Sequence, residues 1–251
     1  MTIGRLFKTR VWYKVTGNLW FPGTQKTRKD AMAGRKNENR RAAPVKRSSA
    51  AYLAVKLLLK LFLWPFFRLE VSGERNLPRD RAFILLPKHQ RWEDIPFTGF
   101  AVPRQLYFVA KHELFKTRFT DRLFKALGGI PLNRQKPLES RRYLLSAIRM
   151  LENGEGMVVY PEGTYYRKKM GPGHTGMLRF ILARLSMPLI PVGIRYSLDG
   201  WRIRVRVSIG RVTYQRPNEP VDRLLVRIMR EMAALSGYSL HPDTGQPGAS
   251  D

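Results

Sequence analysis

The 251-residue chain has no cysteine. That excludes a disulfide scaffold, a thiol nucleophile and any zinc or iron–sulfur centre held by thiolates. Histidine is sparse as well, with four residues at positions 89, 112, 174 and 241. Acidic side chains are in deficit: 19 Asp and Glu stand against 46 Lys and Arg, for a net charge of +27. Such a surplus implies a polyanionic partner, and two surfaces qualify, nucleic acid and anionic lipid. Long hydrophobic runs are missing too. A spanning helix needs about 20 apolar residues. The best stretch, residues 50–67, is interrupted by Lys56, Lys60 and Pro65, so it is expected to be too short and too charged to cross a bilayer. No secretory leader is expected either. The first 23 residues mix Trp12, Tyr13, Trp20 and Phe21 with basic side chains and contain no unbroken apolar run.

What is present suffices for a packed core: 43% of the residues are hydrophobic and 11% aromatic. The positive charge is spread along the chain. Residues 1–47 carry 13 basic and 2 acidic side chains, net +11, and residues 48–251 carry 33 and 17, net +16. Residues 23–49 are rich in Lys, Arg, Asn, Gly and Ser and have no apolar period, so residues 1–48 read as a basic, flexible N-terminal segment. Residues 49–68 follow as a helix opened by a Ser-Ser cap. Lys56 and Lys60 are four apart and share a face, while Leu, Phe, Trp and Val cover most of the rest. Two readings stand side by side. The helix is buried with its lysines at the surface, or it is interfacial, with an apolar face in acyl chains and lysines at headgroups. Phe62, Trp64, Phe66 and Phe67 crowd its end, as aromatics do at a membrane–water boundary.

From residue 69 onward short apolar runs alternate with helical patterns. Strands are expected over 69–72, 82–87, 106–110, 157–160, 189–194 and 202–209, and helices over 94–102, 112–127, 139–152, 174–186 and 219–235. The alternation predicts an α/β fold, a mixed, partly parallel sheet flanked by helices, over residues 69–235. Residues 202–209 (RIRVRVSI) alternate strictly, which predicts an antiparallel or edge strand with one buried and one basic face. Residues 236–251 read as a frayed tail.

Four segments carry chemistry. Lys88-His89-Gln90-Arg91-Trp92-Glu93-Asp94 follows the apolar strand Phe83-Ile84-Leu85-Leu86. Sites of α/β proteins collect at the carboxyl ends of strands. On a straight helix positions i and i+5 diverge by about 140°. His89 and Asp94 therefore meet only if His89 lies in the turn before a helix and Asp94 in its first turn. Asp94 would then hold one ring nitrogen and leave the other as a general base. Taken alone, the same residues also read as a loop histidine and a helix N-cap. Gly128-Gly129-Ile130-Pro131-Leu132-Asn133-Arg134 reads as a turn into a strand, or as a close backbone approach with Arg134 on a phosphate. Val158-Val159-Tyr160-Pro161-Glu162-Gly163-Thr164 reads as a β-turn, or as a carboxylate and hydroxyl at a strand end. Leu189-Ile190-Pro191-Val192-Gly193 is a buried strand containing a proline.

In this order and spacing, the four segments resemble the four motifs of the glycerolipid acyltransferases. They are most similar to the bacterial 1-acyl-sn-glycerol-3-phosphate (lysophosphatidic acid) acyltransferases. Val71-x-Gly73-x-x-Asn76-Leu77-Pro78 and Ala110-Lys111-His112-Glu113-Leu114 resemble family segments too, and the likeness runs over about residues 69–212. The resemblance implies His89 as general base and Asp94 as its orienting partner. It implies Arg134 for the acceptor phosphate, Glu162, Gly163 and Thr164 for acceptor binding, and Pro191 for shaping the acyl-donor site. There are three departures, the first two near the acceptor headgroup that the resemblance implies. Tyr165 and Tyr166 follow Thr164 where the family often has Arg, His174-Thr175-Gly176 replaces a Lys/Arg-x-Gly, and Asn133 stands where Asp is common.

The implied reaction moves a fatty acyl group from an acyl-CoA or acyl-ACP thioester to a lysophospholipid hydroxyl, with no cofactor and no metal. The implied partners are the lysophospholipid, the thioester, an anionic membrane surface and acyl-carrier protein, with no nucleic acid. The implied location is the cytoplasmic face of the cell membrane, peripheral or monotopic. The same chemistry on another acceptor, a catalytically silent relative and a basic nucleic-acid-binding protein are the competing expectations.

Overall fold

The computed structural model describes residue 45 and residues 47–133 and 137–240. Arg134, nearly all of the basic N-terminal segment and the tail from residue 241 lie outside the described residues. Helix α1 (Ser49–Leu63) comes first, its N-terminus capped by the Ser48 side chain, which accepts from the Ala51 N–H. Then follow β1 (Phe67–Ser72), β2 (Phe83–Pro87), α2 (Asp94–Ala101), β3 (Leu106–Lys111) and α3 (Arg118–Ala126). The order continues with β4 (Gly129–Leu132), α4 (Pro137–Glu152), β5 (Gly156–Val158) and α5 (Gly176–Leu182). It closes with β6 (Leu189–Asp199), β7 (Arg202–Ile209) and α6 (Val221–Ser236). The seven strands form one sheet in the order β1-β7-β6-β2-β5-β3-β4. Every neighbouring pair is parallel except β6 with β7.

The central strand β2 is buried along its whole length, as expected where helices cover both faces of a parallel sheet. Its side chains alternate between two cores. Ile84 and Leu86 join Met157, Val159 and Leu189 under α4, α5 and α6. Phe83 and Leu85 join Val158, Ile190 and Val192 under α2 and the end of α1. Helix α6 lies so close to β6 that a Cβ on Gly193 would come within 2.4 Å of the Leu235 backbone.

The mixed, mostly parallel α/β sheet matches the expected class, with several corrections of detail. The N-terminal helix stops at Leu63, with Trp64 as its C-cap and Pro65, which has no N–H to continue the helix, directly after it, and Phe67 belongs to β1. Lys56 does not face outward: its ammonium donates to the Val102 carbonyl at 3.1 Å. The flexible segment expected through residue 48 ends earlier, since Val45 is buried and Arg47 pairs with Glu155 at 3.3 Å. The helix expected over 112–127 divides into a 3-10 turn, His112–Phe115, and α3. β4 was not among the expected strands, and residues 128–132 realise the turn-into-strand alternative. β7 is antiparallel to β6 as expected, yet it lies inside the sheet, with β1 on its other side. The tail expected from residue 236 does not fray at once. Ser236 is buried in α6, and the Tyr238 hydroxyl donates to the Gln90 side chain at 2.9 Å. Among the described residues no helix is long and apolar enough to cross a membrane.

Candidate active site

β2 is the middle strand, and β5 is its parallel neighbour. The loops that leave their carboxyl ends therefore meet, one carrying His89 and the other Glu162. Asp94 is the first residue of α2, and His89 lies in the turn before it, which satisfies the geometric condition set by their spacing. The His89 Nδ1 lies 3.2 Å from Asp94 Oδ2. Asp94 is fully buried, and its carboxylate is surrounded by donors. Oδ2 accepts from the Gln90 N–H at 2.5 Å and the Arg91 N–H at 2.7 Å, and Oδ1 accepts from the Tyr196 hydroxyl at 2.5 Å. A carboxylate fixed this way holds a proton on Nδ1 and leaves the Nε2 lone pair free. Among the described residues Nε2 has no hydrogen-bond partner, and the imidazole borders a cavity of about 1150 Å³.

Two aromatic rings hold the imidazole. Tyr160 stacks on it with centroids 4.0 Å apart, and Tyr165 meets it edge-on at 4.5 Å. Tyr160 is anchored in turn: the Thr98 hydroxyl donates to the Asp94 carbonyl at 2.7 Å, so the Tyr160 hydroxyl is the donor to Thr98 at 3.2 Å. Burial, reinforced by the Asp94 charge, pushes the phenols of Tyr160, Tyr165 and Tyr196 above the usual tyrosine range. All three stay neutral, so Tyr196 remains a donor to Asp94.

Glu162 does not face the cavity, contrary to the expected role in acceptor binding. It is fully buried and forms an ion pair with the equally buried Lys88, at 2.8 Å. Its remaining lone pairs accept from the His89 N–H at 2.8 Å and the Gly171 N–H at 2.7 Å. Lys88 also donates to the carbonyls of His89 at 3.1 Å and Tyr166 at 2.8 Å. Burial pulls the Lys88 ammonium below the usual lysine range, and the Glu162 charge opposes that shift. The pair thus ties the two loops together beneath the imidazole.

Gly163 and Thr164 line the cavity with His89, as an acceptor-binding role requires. Gly163 has a φ of +67°, a left-handed turn that suits glycine. Pro191 is not at the site. It lies inside β6, where the ladder with β7 is interrupted between the Leu189–Thr213 bridge and the Val192–Ile209 pair, so its missing N–H costs no sheet bond. Arg134 lies outside the described residues, while Asn133 before it borders the cavity. Spacing alone gave no hint of Lys88 or Tyr196. Their partners lie 74 and 102 residues away in the chain.

The cavity is larger than the roughly 300–1,000 Å³ of ordinary small-molecule sites, and its walls are mainly apolar. Tyr52, Val55 and Leu59 of α1 form one wall, with Phe100, Phe108 and Leu144 among the others. Leu53, Leu57, Leu58, Leu61 and Phe62 on the rest of α1 are exposed.

Comparison with known proteins bears on this arrangement. The family model described as Acyltransferase matches residues 68–195, half of the chain. A 1-acyl-sn-glycerol-3-phosphate acyltransferase of Bacillus subtilis (strain 168) is 30% identical over 96 residues, 38% of this chain and 47% of that protein. The protein of the same name in Streptococcus pneumoniae (strain ATCC BAA-255 / R6) is 26% identical over 184 residues, 70% of this chain and 66% of that protein. With the first of these the matched stretch spans about half of the relative's length. The crystal structure of the 1-acyl-sn-glycerophosphate (LPA) acyltransferase PlsC from Thermotoga maritima superimposes with a TM-score of 0.55. It is 22% identical, over 85% of this chain and 84% of that one, which supports the fold. From the family match, with its span running from the first sheet strand through the dyad to β6, the chain belongs to the Acyltransferase family.

Proposed function

We propose that this protein transfers a fatty acyl group from an acyl-ACP or acyl-CoA thioester to the free hydroxyl of 1-acyl-sn-glycerol-3-phosphate, giving phosphatidic acid. The observation that carries the reading is the His89–Asp94 pair, with Nε2 open to a large apolar cavity that α1 borders. Nε2 takes the proton as the acceptor oxygen attacks the thioester carbonyl. Asp94 stabilises the imidazolium that forms. Collapse of the tetrahedral adduct breaks the C–S bond, and the imidazolium returns its proton to the departing thiolate. The products are an ester and a free thiol, with no covalent enzyme intermediate. Arg134 is assigned to the acceptor phosphate, and Gly163 and Thr164 to acceptor binding. The Lys88–Glu162 pair is assigned to positioning.

The acceptor and product live in a bilayer, and the rest of the molecule suits that setting. The exposed face of α1 is apolar, and a charge of +27 favours an anionic leaflet by about 1 kcal/mol for each Lys or Arg near it. An apolar helix plus a basic surface supplies the two attractions that stable interfacial binding needs. The assigned location is the cytoplasmic face of the membrane, peripheral or monotopic.

A second reading keeps the chemistry and changes the acceptor. Tyr165, which packs edge-on against His89, stands where the family resemblance of the sequence leads one to expect Arg, so glycerol 3-phosphate or a different lysolipid is the competing substrate. A panel of lysolipids and glycerol 3-phosphate offered with acyl-ACP and acyl-CoA decides. The first reading expects fastest turnover with 1-acyl-sn-glycerol-3-phosphate. Transfer to no acceptor of the panel from either donor overturns both.

A further inference from the structure

The β6–β7 hairpin ends in two large apolar side chains that no other described residue covers. Leu198 is 85% exposed and Trp201 79% exposed, on either side of a turn with Gly200 at a φ of +62°. β6 runs seven residues past its last pair with β2, at Val192. At about 3.3 Å per residue, the tip stands roughly 20 Å beyond that pair, on the side of the sheet that carries His89.

The tip is tied to the end of α1. The Arg202 guanidinium donates to the Trp64 carbonyl and, at 2.7 Å, to the Phe67 carbonyl. It also lies 5.7 Å from the ring centres of both Trp64 and Trp201. Leu198 and Trp201 therefore continue the exposed apolar face formed by Leu61, Phe62, Trp64 and Phe66. Behind the tip, Arg68, Arg204 and Arg206 outnumber the two carboxylates that bridge them, Glu70 and Asp199. Apolar tips backed by arginines match the layering of an anionic bilayer, acyl chains below and phosphates above. An exposed patch of this kind marks an interaction surface.

We infer that the β6–β7 hairpin is a second membrane-inserting element. Leu198 and Trp201 enter the acyl region beside α1, and the arginines meet the phosphates. This rests on the interfacial reading of α1 proposed above. Two inserted elements fix the tilt of the domain, which one helix lying flat leaves free to roll. They hold the cavity mouth toward the leaflet that supplies its lipid.

The chain has no cysteine, so single-cysteine labelling of the full-length protein is clean. Leu198→Cys, Leu57→Cys and Arg230→Cys each receive an environment-sensitive fluorophore, and phosphatidylglycerol/phosphatidylethanolamine vesicles carrying brominated acyl chains are added. The expected result is quenching at 198 and 57 and none at 230, an exposed site on α6. Quenching at 57 without 198 overturns the hairpin proposal and leaves the α1 reading standing. Quenching at none of the three overturns both. A response at 198 to an acidic acyl-carrier protein but not to vesicles assigns the tip to a protein partner and overturns the proposal. The variant L198S/W201S is expected to weaken vesicle partition about tenfold or more. Its turnover of a monodisperse short-chain acceptor should match wild type. Unchanged partition in that variant contradicts the inference.

Discussion

At the scale of single residues the site is built from buried charge. Glu162 and Lys88 have no exposed side-chain surface, and each satisfies the other while holding the His89 loop. Removing one partner of such a pair strands the other in a low-dielectric interior. Glu162→Gln is therefore expected to destabilise the fold by about 3–5 kcal/mol and to slow acyl transfer, read by denaturant unfolding and by turnover. An unchanged unfolding midpoint would show that the pair is not structural. The His89–Asp94 geometry was legible because its condition is local: five residues, a strand end and a helix start. The burial of Glu162 was not legible, since a carboxylate after a strand reads the same whether it faces a cavity or a lysine 74 residues away. Tyr196 was hidden for the same reason. It reaches Asp94 only because β6 lies beside β2.

Among the elements, periodicity found the sheet and blurred its edges. The alternating pattern of β7 announced one buried face, and Val205, Val207 and Ile209 form it. β4 is four residues long and contains a glycine and a proline, too little for a strand pattern. The apolar run from 62 to 69 fits a helix end or a strand start equally well, and the structure divides it at Pro65. Helix α6 tests how tightly the layers fit. It touches β6 at Gly193, where the Leu235 backbone leaves no room for a methyl group. Gly193→Ala is expected to cost about 1–3 kcal/mol in denaturant unfolding, with α6 pushed outward. A neutral substitution would mean that helix and strand are not in firm contact there.

For the whole molecule, charge bears on both stability and the proposed membrane location. Glu219 and Asp222 are held below the usual carboxylate range by hydrogen bonds from Arg227 and Arg179. Depressed folded-state values mean stabilisation that is complete above the ordinary carboxylate range and is lost as pH falls through the lower, folded values. Glu219→Gln should therefore lower the melting temperature near neutral pH, and the difference from wild type should shrink as pH falls below the ordinary carboxylate range. A gap that persists in acid would contradict the assignment. The net positive charge was plain from composition, but composition could not choose between lipid and nucleic acid. The choice of lipid rests on the apolar cavity and the uncovered face of α1, which only the fold brings into view. The most direct test of the whole account is acyl transfer by full-length His89→Ala on vesicles containing 1-acyl-sn-glycerol-3-phosphate. The account predicts turnover lower by about 10²–10⁴ with vesicle binding unchanged, and turnover like wild type would contradict it.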